Sequence, residues 1–462
     1  MSATYNRKRI WGWYFFDWAL QPYATLGLTF IFGPYFASVA ADYFSAQGSE
    51  TAAAASQTLW SSAQTVAGLV IAFSAPFLGA YADASGRKTP WFVLFVTIAT
   101  ICFAGIWVLQ PDGTGLFLAL MLFWIGFVAG EAAFNLGNSI LPSLGPPEDA
   151  GRISGGATAF GYWGGVLSLF IMLIFFAENE SGTTFVGFAP AFGLDPEARE
   201  GTRIVGPFIA VWLLVFLIPF FLWIKDAPGP RHRPSAGDVF RHLSKSVRGV
   251  LQRPSFASFL LGSMFYRDGL AALYAYGGIY ATLVLDWTVV DIGIFGIVAA
   301  VAAAILSWVG GLADERFGPK PVIQFNIFVL ITVCCVVVGM TRESLFGVPL
   351  APGSTLPDTI FYICGAAIGG AGGALYSASR SMMVRHCTTD NAAEAFGLFA
   401  LTGRATAFLA PALIALFTSW TQSTQLGFLP VIFLFVLGFV LLAWVKPEGD
   451  RAVPWSNAPE PA

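Results

Sequence analysis

The sequence predicts an all-α integral membrane protein, with twelve transmembrane helices in two pseudo-symmetric six-helix bundles. Three observations carry that expectation: scarce charge, twelve apolar runs of bilayer length, and a pair of motifs that recurs in the second half. Of 462 residues, 56% are hydrophobic and only 11% are charged, against about a quarter in soluble proteins. Such a chain cannot clothe the surfaces of two or three soluble domains. A soluble enzyme, a disordered scaffold and a secreted disulfide protein are therefore excluded. The five cysteines lack the paired spacing of disulfide or zinc sites, and the net charge of −3 does not point to a partner.

A helical span needs about 20 mainly apolar residues. Candidate spans fall near 11–40, 59–81, 91–109, 116–141, 153–177 and 204–224, then near 255–285, 290–312, 321–340, 359–379, 395–417 and 426–445. Runs of this length must satisfy their own backbone hydrogen bonds in lipid, so they are helices. Arg7, Lys8 and Arg9 precede a run too long for a signal-peptide core, so that run is a span. With the N-terminus inside, nineteen of the 24 Lys and Arg fall on the inner side. Arg199, Arg203 and Arg342 fall outside, and Arg267 and Arg404 fall within spans. That asymmetry predicts both termini in the cytoplasm, at the inner membrane if the source is bacterial.

The expected division is a bundle over 1–224, a linker over 225–253, a second bundle over 254–446 and a tail over 447–462. The linker holds Lys225, Arg231, Arg233, Arg241, Lys245, Arg248 and Arg253. It reads as a positive-inside connection, with anionic-lipid or nucleic-acid recognition as the alternative. The Pro- and Ala-rich tail reads as disordered. Asp17-x5-Tyr23-Ala24-x2-Gly27 recurs as Asp268-x5-Tyr274-Ala275-x2-Gly278, and Gly79-Ala80-Tyr81-Ala82-Asp83 as Gly310-Gly311-Leu312-Ala313-Asp314. Two related six-helix halves are a transporter architecture.

Between spans two and three stands Gly79-x3-Asp83-x2-Gly86-Arg87-Lys88. It resembles the loop signature of the major facilitator superfamily. In that family an acid beside basic residues latches the two halves on the cytoplasmic face. The second copy, Asp314-x3-Gly318-Pro319-Lys320, is one residue longer and lacks the Arg, which leaves its clamp role open. Phe16-Asp17-Trp18-Ala19, Phe32-Gly33-Pro34-Tyr35-Phe36, Gly151-Arg152-Ile153-Ser154-Gly155 and Ser379-Arg380-Ser381 further resemble one branch of the superfamily. That branch includes a yeast vacuolar amino-acid effluxer involved in autophagy. The resemblance implies export or redistribution of a small molecule, with amino acids as cargo.

Ionisable residues inside a span cost about 3 kcal/mol to insert and face a cavity or a partner. Asp17, Glu131, Arg267, Asp268 and Arg404 occupy one layer between the inner third and the midplane. Glu131, Asn135 and Asn138 share one helical face, as do Asp17, Gln21 and Thr25, and Arg267 with Tyr274. One reading is a structural ion-pair network, such as Asp17 or Glu131 with Arg404. The other is a substrate and coupling cavity, in which an Arg grips a carboxylate and Glu131 or Asp268 takes up a proton. Arg380, at the inner end of span ten, is expected to snorkel to the interface, with a gate contact as the alternative. Pro411 and Pro430 are expected to kink their helices. Tyr23, Tyr162 and Tyr274 are candidates to stack on substrate.

No phosphate-binding Gly-x4-Gly-Lys-Ser/Thr occurs, and His232, His242 and His386 all lie in inner segments. Nucleotide hydrolysis, a metal centre and a histidine-based hydrolase are not expected. The expected partners are a small-molecule substrate, the bilayer and a coupling proton, with no cofactor and no nucleic acid. The expected function is secondary transport of a small polar solute by alternating access, with amino-acid efflux foremost. A sugar–cation symporter and a non-transporting sensor are the alternatives. Span two has no acid before Asp83 to bind sodium, which counts against the first. The linker and tail are too short to hold a partner domain, which counts against the second.

Overall fold

The computed structural model describes residues 7–179, 181–226, 237, 248–285, 287, 289–421, 423 and 425–450. Most of the basic linker and the tail beyond Asp450 lie outside these residues, so the expectations for them concern segments not described. Eleven helical segments are long and apolar enough to cross a bilayer. The remaining span, seventh in chain order, is the 32-residue helix Pro254–Leu285, with Arg267 and Asp268 near its middle. The only strands among the described residues are β1 (Ser344–Leu345) and β2 (Val348–Pro349), a ribbon in the loop between spans nine and ten.

The first span runs Arg7–Ala46 and the second occupies the helix Ala52–Ala84. The stretch left between the first two expected spans therefore shrinks to a few residues. Its alanines are strong helix formers, so both helices run beyond the apolar run that a hydropathy reading detects. Proline shapes the first span. Pro22 has no N–H and its ring crowds the carbonyl four residues back. That carbonyl, Trp18 O, instead accepts the indole N–H of Trp212 at 3.2 Å. The chain then takes a wider π-helical path over Tyr23–Phe30, a local form that recurs at functional sites.

The eleventh span divides into Ala392–Ala405 and Leu409–Thr421. The break lies just before Pro411, as its missing donor requires. Pro430 does not kink its helix; it sits in the first turn of Leu429–Leu441, where proline costs nothing.

Spans one to six close over a core that includes Trp13, Phe16, Phe103, Phe123 and Phe220. Spans seven to twelve close over another that includes Phe259, Tyr266, Leu330, Phe361 and Phe435. The bundles meet where span two packs on span eleven, and span five on spans eight and ten. Residues 7 and 450 lie at the same end, among the basic loops: Arg9 donates to Ser143, and the Asp450 carboxylate accepts the Phe256 N–H.

The tail is anchored through Asp450. It is buried, and its N–H donates to His386 Nδ1 at 3.2 Å. The disorder expected for the tail therefore does not hold for residues 447–450.

Candidate functional site: a closed gate beneath a charged cavity

At the basic end the two bundles are locked together around one arginine. Arg380, expected to snorkel to water, is instead 0% exposed. Span ten continues to His386, which places Arg380 about 9 Å inside its end at 1.5 Å per residue. Its Nη1 donates to Asp17 Oδ1 and Oδ2 at 3.2 and 3.0 Å, and to Asn138 Oδ1 at 3.0 Å. Nε donates to Ser154 Oγ at 3.0 Å, and Nη2 to Ser154 O at 2.9 Å and to the Thr158 hydroxyl. The Ser154 hydroxyl in turn donates to Ser377 O at 2.8 Å. Trp13 and Tyr376 face the guanidinium with ring centres 4.9 and 5.0 Å away. One residue of the second bundle is thus wrapped by spans one, four and five of the first. A buried charge is tolerated only when paired and hydrogen-bonded in this way.

The signature motif forms a second lock. Asp83 Oδ2 accepts the Glu394 N–H at 2.8 Å, in the first turn of span eleven. A carboxylate at a helix N-terminus is favoured by the free donors and dipole there. Lys88 Nζ lies 3.2 Å from Asp83 and also reaches Ser139 O and Thr389 O. Gly86 has φ +67, a left-handed turn that glycine adopts without strain. Arg87 is exposed; the clamp runs through Lys88. A Cβ on Gly79 would overlap the Ala393 carbonyl.

The second copy repeats the arrangement on the other side. Asp314 lies against Gly151 in the first turn of span five and accepts from Ser381 at 3.2 Å. Gly155 and Gly311 touch backbone to backbone. Beside this contact, Arg152 pairs with Glu315 across the two bundles at 3.1 Å.

These contacts carry a prediction. Gly79→Val should hold spans two and eleven apart at a steric cost of about 1–3 kcal/mol. The modification rate of a cysteine at Ser377, 1% exposed in the closed state, should then rise about ten- to hundredfold.

Above the gate is a cavity of about 380 Å³ between the bundles. Gln21, Glu131, Asn135, Asn138, Arg267, Tyr274 and Arg404 line it, with Tyr23, Tyr162, Tyr266 and Tyr376. Glu131 Oε2 meets Arg404 Nη2 at 3.2 Å, joining the first bundle to the second. Glu131 Oε1 accepts the Tyr23 hydroxyl at 2.9 Å, and Tyr23 leads the π-helical stretch. Arg267 Nη1 donates to Phe399 O at 2.7 Å and lies over the Phe399 ring. Two arginines and one glutamate leave the wall with one excess positive charge.

Two expected cavity residues are not on that wall. Asp17 lies beneath the floor with Arg380. Asp268 is 5% exposed, beside Thr406 behind the wall. The sequence assigns no gate role to Ser154, Thr158 or Glu394, although Ser154 stands in the stretch Gly151-Arg152-Ile153-Ser154-Gly155 that carries the family resemblance. A further signal is the i, i+4 spacing of Ser154 and Thr158 in the glycine-rich start of span five.

Comparison with known proteins identifies the family and the fold. The family model described as "Vacuole effluxer Atg22 like" matches residues 5–452. An uncharacterised major-facilitator-type transporter of Bacillus subtilis, YxiO, is 24% identical over 453 residues, covering 96% of this chain and 95% of the relative. Autophagy-related protein 22 of Cryptococcus neoformans is 25% identical over 66% of this chain, which spans 52% of that relative's length. Among solved structures, the human organic anion transporter MFSD10 superposes with a TM-score of 0.66 at 13% identity, covering 94% of this chain and 99% of that one. The proton:xylose symporter XylE also gives 0.66, at 12% identity and 95% coverage of both chains. The likeness to these structures establishes the twelve-helix fold. This chain therefore belongs to the vacuole effluxer Atg22-like family of major facilitator transporters, which is not a class of enzymes.

Proposed function

We propose that the protein is a secondary carrier for a small zwitterion, a neutral amino acid above all, and that Glu131 couples its movement to protons. The observation that supports this most directly is the Glu131–Arg404 pair across the cavity, with Arg267 beside it. A zwitterion offers a carboxylate to an arginine fork and an ammonium group to Glu131 and to tyrosine faces. By entering between Glu131 and Arg404 it replaces one bridge between the bundles with another. The excess positive charge favours a solute that carries a carboxylate. The volume suits a small ligand, near the lower end of the roughly 300–1,000 Å³ usual for ligand pockets.

The basic end is assigned to the cytoplasm on the asymmetry of lysine and arginine. The conformation described is then closed to the cytoplasm, and solute would enter the cavity from the opposite face. Both members of the Glu131–Arg404 pair are partly exposed, at 20% and 31%, so solute and water can reach them.

Counterflow of pooled labelled neutral amino acids into proteoliposomes tests the reading without assuming a driving ion. Wild-type protein should accumulate label, and Arg404→Ala should fall to the level of protein-free vesicles. Exchange of labelled sugars but not of amino acids would overturn the cargo assignment in favour of a sugar carrier.

A further inference from the structure

Spans five and six are joined by a segment whose chemistry does not suit water. Phe185 to Leu194 is a run of ten residues without a polar side chain. Phe185, Phe188 and Phe192 are 79%, 71% and 92% exposed, so the protein itself does not cover them. Phe192 has φ 62 and ψ 15, a left-handed conformation unfavourable for a bulky residue. Glycine would occupy that position without strain, yet the chain presents a phenylalanine there, pointing outward.

The fold also fixes the depth of the segment. The Phe185 N–H donates to Leu173 O at 3.0 Å, and Leu173 lies inside span five, which ends at Phe175. The segment therefore turns back alongside the helix it leaves. A tight turn at Gly187 holds its tip, with Thr184 N–H donating to Phe188 O and Gly187 N–H to Thr184 O, both at 2.8 Å. The Phe192 ring lies tilted 6.0 Å from that of Phe176, which lies 6.2 Å from Phe208 of span six. The same two spans expose Phe175, Leu167, Val211 and Leu214, the side chains that face the hydrocarbon. The phenylalanines thus continue the lipid-facing band of spans five and six. Charge returns immediately afterwards with Asp195, Glu197 and Arg199.

We propose that Phe185–Leu194 is a membrane-interface anchor, seated among headgroups and upper acyl chains of the leaflet at the end opposite the gate. Aromatic side chains on an element lying at the boundary bind in this way, about 5–10 Å below the surface. The anchor braces the outer end of span five, the helix whose inner end packs on span eight at the gate.

Nitroxide labels read this directly. Cys335 is the one exposed cysteine among the five, so Cys335→Ser gives the background. Phe192→Cys and Phe188→Cys are labelled separately, with Asp195→Cys as a comparison, in full-length protein in liposomes. The labels at 188 and 192 should collide with oxygen more often than with a water-soluble nickel chelate, and label 195 should show the reverse. Nickel access at 188 and 192 equal to that at 195 would overturn the proposal by placing the segment in water. Low access to both reagents at 188 and 192 would also overturn it, by showing a protein partner or a second copy over the segment.

Discussion

Replacing Arg380 with glutamine is expected to abolish closure of the basic end and to reduce net transport to the level of protein-free vesicles. The substitution removes the cation from a cage in which Asp17 is only 5% exposed. Stranding one member of a buried ion pair costs about 3–5 kcal/mol. The open state leaves Asp17 in a water-filled passage, so this cost falls on the closed state alone. The closed-to-open ratio should therefore drop roughly 10²–10⁴-fold. Arg380→Lys keeps the charge but loses the fork that serves Asp17, Asn138, Ser154 and Thr158 together, so it should fall between the two. Asp17→Asn combined with Arg380→Gln removes both charges and should recover much of the closure lost in the single variant. Measuring wild type, Asp17→Asn alone, Arg380→Gln alone and the double variant isolates the coupling between the pair. Closure in Arg380→Gln equal to wild type would show that the cage is not what holds the gate.

Glutamine at Glu131 should separate exchange from drive. It still offers a carbonyl to the Tyr23 hydroxyl, which now donates to Glu131 Oε1. It cannot take up a proton or neutralise Arg404. The pair with Arg404 is partly exposed, and such pairs are worth about 0–1 kcal/mol to folding. The variant should therefore fold, and a lost activity would report on transport. Counterflow should persist at reduced affinity, while accumulation driven by an imposed pH gradient should disappear. Gradient-driven accumulation at the wild-type rate would remove Glu131 from the coupling step. The parallel variant Asp268→Asn should change neither assay, because Asp268 lies off the cavity wall.

The sequence disclosed the spans because few soluble folds could have survived so little charge, and it disclosed the repeat because Asp17 and Gly79 each have a counterpart. It located Glu131, Arg267 and Arg404 because charge inside a span is rare enough to be conspicuous. It misplaced Arg380 for a definite reason. Apolar character fades after Ser379, so the run appears to end there, yet the helix continues to His386 and carries Arg380 into the interior. Its partners come from three other spans, a convergence no linear spacing reveals. Depth, and the face it shares with Gln21 and Thr25, point Asp17 into the cavity. Depth cannot distinguish the floor of a cavity from its wall, and the same ambiguity misplaced Asp268. Ser154 and Thr158 carry no gate role in the sequence because small hydroxyl residues are ordinary within spans; only the guanidinium between them gives them one.

The most direct test of the account is the distance across the gate. Spin labels at Arg87 and Asp390, both exposed and on opposite bundles at the basic end, report its opening without touching the cage. In liposomes, wild-type protein should show two populations, with the shorter distance matching the closed state. Arg380→Gln should convert the distribution to the longer distance, and the double variant with Asp17→Asn should restore the shorter one. A single short distance in all three proteins would contradict a gate held by Arg380 and, with it, the alternating access proposed for this chain.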